Sequence, residues 1–521
     1  MDKANTPTTQ GVDLTEPSTS WFTRPLSAWA CLLGWIVASG VFVGAVAGAG
    51  GPAVGDAYLI IYPTWAVSHG QFVCMYPPHP ASILSLAAPV YPMVAGGVGY
   101  ITHIGSSVSF PTGTALGHNC GKAVVAMVNW SAHAGAVEPT LRTGYVVWLF
   151  LMAGLIMVLR ASGRGRSGWE PTGLIIAAAL PPVWFCVEMY AHPQDVVAMG
   201  FALAAVACSL RSRWIAAGIF IAIALLTQQY TLLVAIPLFV VAPAAGKIRF
   251  VGAAAATVAI VALPLIVLTS GSAIRPAFLG TGNVGGLGGT VAWEAHIRGG
   301  AALFLGSRLP PLVLALALSW YVVRRVGPTV LDPQILIPLI AVCLSLRLVF
   351  EDTIFSYYYM PLAVSLVVID VVHGRIRQRL VAWVAMVTLV YTEPSILVWR
   401  QFWGQDARHW LPVVVVVIGL VLIIRDVLRH SIGWNAAVWA AAIVTAVLTW
   451  PVSSNPVHHQ GATWQWQVLF VGIGIALAAG PLVTSIRANS PTLPSAQSQI
   501  ARHDEVDLEG AHADLVEPST S

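Results

Sequence analysis

The chain has 521 residues, of which 57% are hydrophobic and only 9% are charged, with a formal net charge of +4 and a mean hydropathy of +0.76. Soluble domains carry about 25% charged residues, and a chain this long has a large surface to wet. A water-soluble enzyme, a disordered scaffold and a nucleic-acid binder are excluded as main readings, and an all-α, polytopic integral membrane protein is expected.

Residues 1–25 are polar and rich in Thr, Ser and Pro, the composition of a disordered tail. This stretch is too long and too weakly basic for the start of a signal peptide, so the first apolar run, 26–48, reads as a retained helix. Residues 488–521 form a second polar tail. The tails share a near-repeat, Asp13-Leu14-Thr15-Glu16-Pro17-Ser18-Thr19-Ser20 against Asp514-Leu515-Val516-Glu517-Pro518-Ser519-Thr520-Ser521. Low-complexity drift explains it, with a shared docking or phosphorylation site as the sharper alternative.

Between the tails, residues 26–487 read as one transmembrane domain. Apolar spans are expected near 26–48, 143–160, 172–189, 196–210, 214–227, 229–243, 250–270, 300–323, 334–350, 355–372, 380–398, 410–424, 433–450 and 465–485. This is about 14 helices, or 12–14 allowing for the short runs. A full crossing takes roughly 20 apolar residues. The runs 214–227 and 229–243 fall short, and are either two half-length helices meeting at Thr227-Gln228-Gln229 or one long tilted helix.

Loop charge arbitrates between the two. With a cytoplasmic N-terminus and two crossings, the inner side receives Arg160, Arg164, Arg166, Arg211, Arg213, Lys247, Arg249, Arg324, Arg325, Arg375, Arg377, Arg379, Arg425, Arg429 and Arg487. The other side keeps scattered cations such as Lys122, Arg275, Arg298, Arg400 and Arg408. That asymmetry follows the positive-inside rule, and a single crossing destroys it. Both termini are then cytoplasmic.

The outer side receives a first loop, 49–142, much longer than a connector needs, and a Gly-rich loop, 271–299. It also receives Glu188 to Asp195, Glu351 with Asp352, residues 399–409, and Pro451 to Trp464. Ionisable groups at membrane depth mark function, so the chemistry is expected on that face. Asp56 to His69 and the run 81–102 read as interfacial helices bounded by Gly and Pro.

Cys31, Cys186, Cys208 and Cys343 fall in or near spans and read as small packing residues. Cys74 and Cys120 share the large outer loop, an oxidising location, and are expected to form a disulfide. No Cys-x-x-Cys supports a zinc or redox motif. Gly280-Thr281-Gly282-Asn283-Val284-Gly285 spells a dinucleotide fingerprint but lacks the strand that must precede it, and reads as a flexible loop. His458-His459 reads as solvated, and Asn129-Trp130-Ser131 as a sequon by spelling only. No metal site is expected.

Chemistry is carried by three stretches. The first is Asp56-Ala57-Tyr58, with the later Ala88-Pro89-Val90-Tyr91-Pro92. The second is His192-Pro193-Gln194-Asp195, followed by Arg213-Trp214-Ile215-Ala216-Ala217-Gly218 and Thr227-Gln228-Gln229. The third is Arg347-Leu348-Val349-Phe350-Glu351-Asp352, leading to Tyr357-Tyr358-Tyr359-Met360-Pro361-Leu362. On spacing alone, Asp56 and Asp195 also suit helix caps. Arg347 also suits a snorkelling or paired structural arginine. The three tyrosines also suit an interfacial aromatic belt.

Over about 50–372 these stretches resemble the GT-C glycosyltransferases, which use polyprenyl-phosphate sugars. The closer similarity is to actinobacterial mannosyl- and arabinofuranosyltransferases of the family-87 type. The resemblance implies a GT-C-like fold with a large extracytoplasmic first loop and transfer of mannose or arabinofuranose to an envelope glycolipid or polysaccharide. It implies Asp56 as the general base for the acceptor hydroxyl. Tyr58, His192, Asp195, Gln228, Gln229, His296, Arg298, Arg347, Asp352 and Tyr358 become the substrate-binding candidates. Many relatives carry a Lys where this chain has Gln228-Gln229, so Arg347 is the best cation for the donor phosphate. The lipid-linked donor is a substrate and no cofactor is expected. The partners are donor, acceptor and membrane lipid.

Two competitors remain. A lipid or glycolipid transporter would show inverted repeats and broken helices with midplane charges. Of these, only the Thr227-Gln228-Gln229 break is present. A catalytically inactive relative acting as an assembly partner is the other, kept open by the missing Lys.

Overall fold

The computed structural model describes residues 22–48, 67, 73–76, 79–82, 89–102, 138–188, 192–268, 302, 304–351, 356–374 and 464–489. These residues are overwhelmingly helical. In chain order the helices are α1 (Ala28–Gly48), α2 (Val90–Thr102), α3 (Glu138–Ala161), α4 (Trp169–Ala179), α5 (Pro181–Glu188), α6 (Pro193–Leu210) and α7 (Trp214–Thr227). They continue with α8 (Leu232–Val241), α9 (Ala244–Leu268), α10 (Leu309–Val326), α11 (Pro333–Phe350), α12 (Met360–Val372) and α13 (Trp464–Asn489). Among the described residues, five stretches are long and apolar enough to cross a membrane: Ala28–Val46, Pro193–Leu210, Ala244–Val267, Leu305–Leu331 and Pro333–Phe350.

Two expectations are corrected. The run 81–102 is not one helix: β1 (Val73–Tyr76) and β2 (His79–Ser82) pair as an antiparallel hairpin, and only α2 is helical. The span 172–189 is two helices. Leu180 is extended (φ −66°, ψ 118°) because it precedes Pro181, which disfavours helical backbone in the residue before it. The expected spans 380–398, 410–424 and 433–450 lie outside the described residues.

The helices sort by what covers them. α6 is apolar all round and almost wholly buried, so it is the central helix. Small residues permit its tight packing. Gly200 of α6 crosses Gly154 of α3, and a Cβ on either would collide with backbone of the other helix. α9 is equally apolar but mostly exposed, with Ile260, Leu263 and Val267 facing outward. Two contacts orient α1 against α3. The Trp148 indole N–H donates to Ser39 Oγ at 3.1 Å, and Phe42 stacks on Trp148 at 5.2 Å.

The short helices α7 and α8 run in opposite directions. A Cβ at Gly246 would press on Trp214, and one at Gly218 would collide with the Phe250 carbonyl. The constant offset makes α7 and α9 parallel, so α8 must return between them. The turn comes where the apolar run is interrupted. Gln228 is extended (φ −159°, ψ 131°), and Gln229–Thr231 makes a single tight helical turn.

The same connectivity separates the ends of the bundle. At one end lie Arg160, Arg164, Arg166, Arg211, Arg213, Lys247, Arg249, Arg324 and Arg325. There Glu170 is fully buried. It accepts from Arg160 Nε (3.0 Å) and Nη2 (3.1 Å), from Trp35 Nε1 (3.0 Å) and from the Arg166 N–H (2.9 Å). Burial pushes this carboxyl up, but the hydrogen bonds from Arg160, Arg166 and Trp35 outweigh it, and its pKa is lowered. Arg164 ties the end of α12 in by donating to the Val372 carbonyl.

Candidate functional site

The opposite end gathers four chain segments: the start of α6, the α7–α8 turn, the end of α11 and the start of α12. α6 and α11 each have 18 residues, a rise of about 27 Å. This approaches the roughly 30 Å hydrocarbon thickness.

Pro193 is the first residue of α6, where its missing N–H costs nothing. Asp195 is therefore the third helical residue, buried, in the first turn where the helix dipole favours an anion. It is not the cap: His192 occupies that position, with no side-chain cap hydrogen bond. The Asp195 carboxylate is used across the bundle instead. Gln228 Nε2 donates to Asp195 Oδ2 at 3.1 Å, and the Tyr230 hydroxyl donates to the Asp195 carbonyl at 2.8 Å. His192 Nδ1 lies 3.5 Å from Asp195 Oδ2.

Arg347 enters from the last turn of α11, where the dipole favours a cation. Its Nε donates to Glu351 Oε2 at 3.0 Å, one helical turn on. Its guanidinium carbon sits 3.9 Å from the Tyr358 ring centroid and 5.2 Å from that of Tyr230. Nη1 faces Asp195 Oδ1 at 3.9 Å, is buried, and has no hydrogen-bond acceptor among the described residues. Beside it the His192 and Tyr357 rings stack at 4.3 Å, with Nε2 3.2 Å from the Tyr357 hydroxyl. Gln194 Nε2 is 2.8 Å from His192 Nδ1, while Gln194 Oε1 is buried without a partner.

No protein-family model matches the chain, and no curated protein is similar to it.

Of the expected residues, His192, Asp195, Gln228, Arg347 and Tyr358 converge. Gln229 is adjacent, but its Oε1 accepts from Arg308 Nη1 instead. Asp56, Tyr58, Cys120, His296, Arg298 and Asp352 lie outside the described residues, and Cys74 is on β1. Cys31, Cys186, Cys208 and Cys343 are buried free thiols. Tyr357, Tyr358 and Tyr359 are buried rather than exposed, so they are not an interfacial belt. Tyr230 and Arg308 were not anticipated. A lone arginine inside the apolar run 300–323 was the available signal for Arg308. Among the described residues no three His, Cys, Asp or Glu side chains form a metal-ligand set.

Chemically, the buried Arg347 Nη1 is a hydrogen-bond donor available to an incoming oxygen atom. The Arg347 guanidinium carbon lies over the Tyr358 and Tyr230 rings, and the two acidic side chains beside it, Asp195 and Glu351, offset the cost of burying the cation.

Proposed function

We propose that the chain is a GT-C-type membrane glycosyltransferase with about 14 crossings and both termini cytoplasmic. It transfers mannose or arabinofuranose from a polyprenyl-phosphate donor to an envelope glycolipid or polysaccharide on the extracytoplasmic side. The observation that carries this reading is the unused Arg347 Nη1, buried at the bundle end opposite the basic residues. The positive-inside rule makes that end the outer one.

In the reaction, the acceptor hydroxyl oxygen bonds to the anomeric carbon as the bond from that carbon to the phosphate oxygen breaks. The electron pair leaves with the lipid phosphate. Arg347 neutralises the departing oxygen, and Glu351 and Tyr358 fix the guanidinium in advance. The acceptor proton goes to a carboxylate, the role that the resemblance gives to Asp56.

The test uses membranes containing wild type, Asp56→Asn or Arg347→Gln, supplied with labelled polyprenyl-phosphate mannose or arabinofuranose and an envelope extract as acceptor. Transfer by wild type that both variants lose at equal protein level supports the reading. Equal transfer by Asp56→Asn removes Asp56 as the base, and no transfer from either donor counts against the function.

One observation favours a second reading, a lipid transporter: the α7–α8 interruption touches a buried charged pair. The interruption is a reversal at the bundle end rather than a break in a through-going helix, which suits the enzyme better. Acceptor-independent movement of a fluorescent polyprenyl phosphate across proteoliposomes would favour the transporter.

A further inference from the structure

We infer that Arg308 and Gln229 form a docking point, at the seam between α8 and α10, for the phosphate of a lipid monophosphate arriving from the bilayer. This rests on the proposed lipid-phosphate donor for its link to catalysis, while the docking point itself is argued from Arg308 and its surroundings.

Arg308 is exposed and ends a wide π-type turn, Phe304–Arg308, that leads into α10. Such turns recur at functional sites. It lies inside the membrane-length stretch Leu305–Leu331. Leu305, Leu309, Val313, Leu316 and Trp320 are all exposed and repeat every three to four residues, making an apolar stripe along α10. Arg308 borders that stripe on the side where α10 packs against α8. A charge there is costly unless it is used.

Among the described residues no carboxylate pairs with Arg308. Its guanidinium donates to the side-chain oxygen of Gln229, which is neutral, so its positive charge is not cancelled. The exposed Arg308 guanidinium is held against the α7–α8 turn by this bond.

The neighbouring residue connects this cation to the buried site. Gln228 donates to Asp195, and Asp195 faces Arg347. Two adjacent glutamines thus join an exposed guanidinium at the lipid-facing seam to a buried one inside the bundle. The exposed cation selects an anionic oxygen, and its planar donors suit phosphate. The apolar stripe beside it selects a lipid chain over a free ion.

The experiment places full-length protein in phosphatidylcholine nanodiscs. Wild type, Arg308→Gln, Arg308→Lys and Gln229→Leu are titrated with a short-chain polyprenyl monophosphate, the matching polyprenol or inorganic phosphate, and retained lipid is measured. The expected result is retention of the monophosphate but not the polyprenol, weakened about tenfold by Arg308→Gln. Arg308→Lys should restore part of the binding, and inorganic phosphate should not compete. Unchanged retention by Arg308→Gln, or equal competition by inorganic phosphate, overturns the inference.

Transfer assays separate the two claims. Arg308→Gln should raise the donor KM with little change in kcat. Transfer with an unchanged donor KM sinks the docking point and leaves the enzyme standing. Arg308-dependent retention without any transfer does the reverse.

Discussion

Arg347 Nη1 and Asp195 Oδ1 stand 3.9 Å apart, an ion pair that no hydrogen bond closes. The pair neutralises charge without consuming the donor. Arg347 is held by Nε on Glu351 and by its flat face on Tyr358, so Nη1 can meet an incoming oxygen without first giving one up.

Arg347→Lys should therefore fail to rescue the Arg347→Gln defect. A lysine keeps the charge but loses the planar face against Tyr358 and the simultaneous bond to Glu351. Both variants should lower kcat by about 10²–10³-fold. Turnover of Arg347→Lys at near wild-type rates, measured with saturating donor, would show that charge alone matters.

Gln228 and Asp195 should be energetically coupled, because a hydrogen bond to a charged acceptor is worth more than a neutral one. Gln228→Leu leaves Asp195 Oδ2 without its 3.1 Å donor. A thermal-stability cycle with Asp195→Asn in detergent should give a coupling of about 1.5–3 kcal/mol. Additive losses would mean that the α7–α8 turn is held by packing alone.

The sequence made some of this legible and hid the rest for physical reasons. α7 was readable to its ends because Arg213 and Gln228 bound a continuous apolar run. The start of α11 was written as Asp332-Pro333, with Asp332 accepting from the Gln334 N–H at 2.7 Å. His192, Asp195 and Arg347 stood out as polar residues at the edges of apolar spans. Hydropathy could not say that α6 is enclosed while α9 is exposed, because both are simply apolar. Nor could it show Arg308 meeting Gln229, a contact between residues 79 apart. The Pro181-Pro182 pair did announce the α4–α5 break, but the apolar run through it masked the signal.

Glu170 should set the acid limit of stability. Its folded-state pKa lies below the ordinary 4.5. The stabilisation is thus fully present above that ordinary value and is lost as pH falls through the lower folded one. Glu170→Gln should cost roughly 3–5 kcal/mol near neutrality, because Arg160 loses its buried partner. The cost should shrink on acidification. Thermal unfolding of both proteins between about pH 3.5 and 7 checks this, and a pH-independent gap would remove the carboxylate from the explanation.

The crossing of α3 and α6 should tolerate no side chain at either glycine. Gly200→Ala would drive a methyl into the Phe150 carbonyl, and Gly154→Ala into the Gly200 carbonyl. Backbone cannot swing aside as a side-chain tip can, so each variant must separate the central helix from its neighbour. Overpacking of this kind costs about 1–3 kcal/mol. Because α6 also carries Asp195, the shift should weaken transfer as well as stability. Gly40→Ala, which meets nothing within 4 Å on α1, is the control and should be neutral in both. Thermal unfolding in detergent, read beside the transfer assay, checks the pair. Wild-type stability in Gly200→Ala would mean that the two helices do not approach this closely in the membrane.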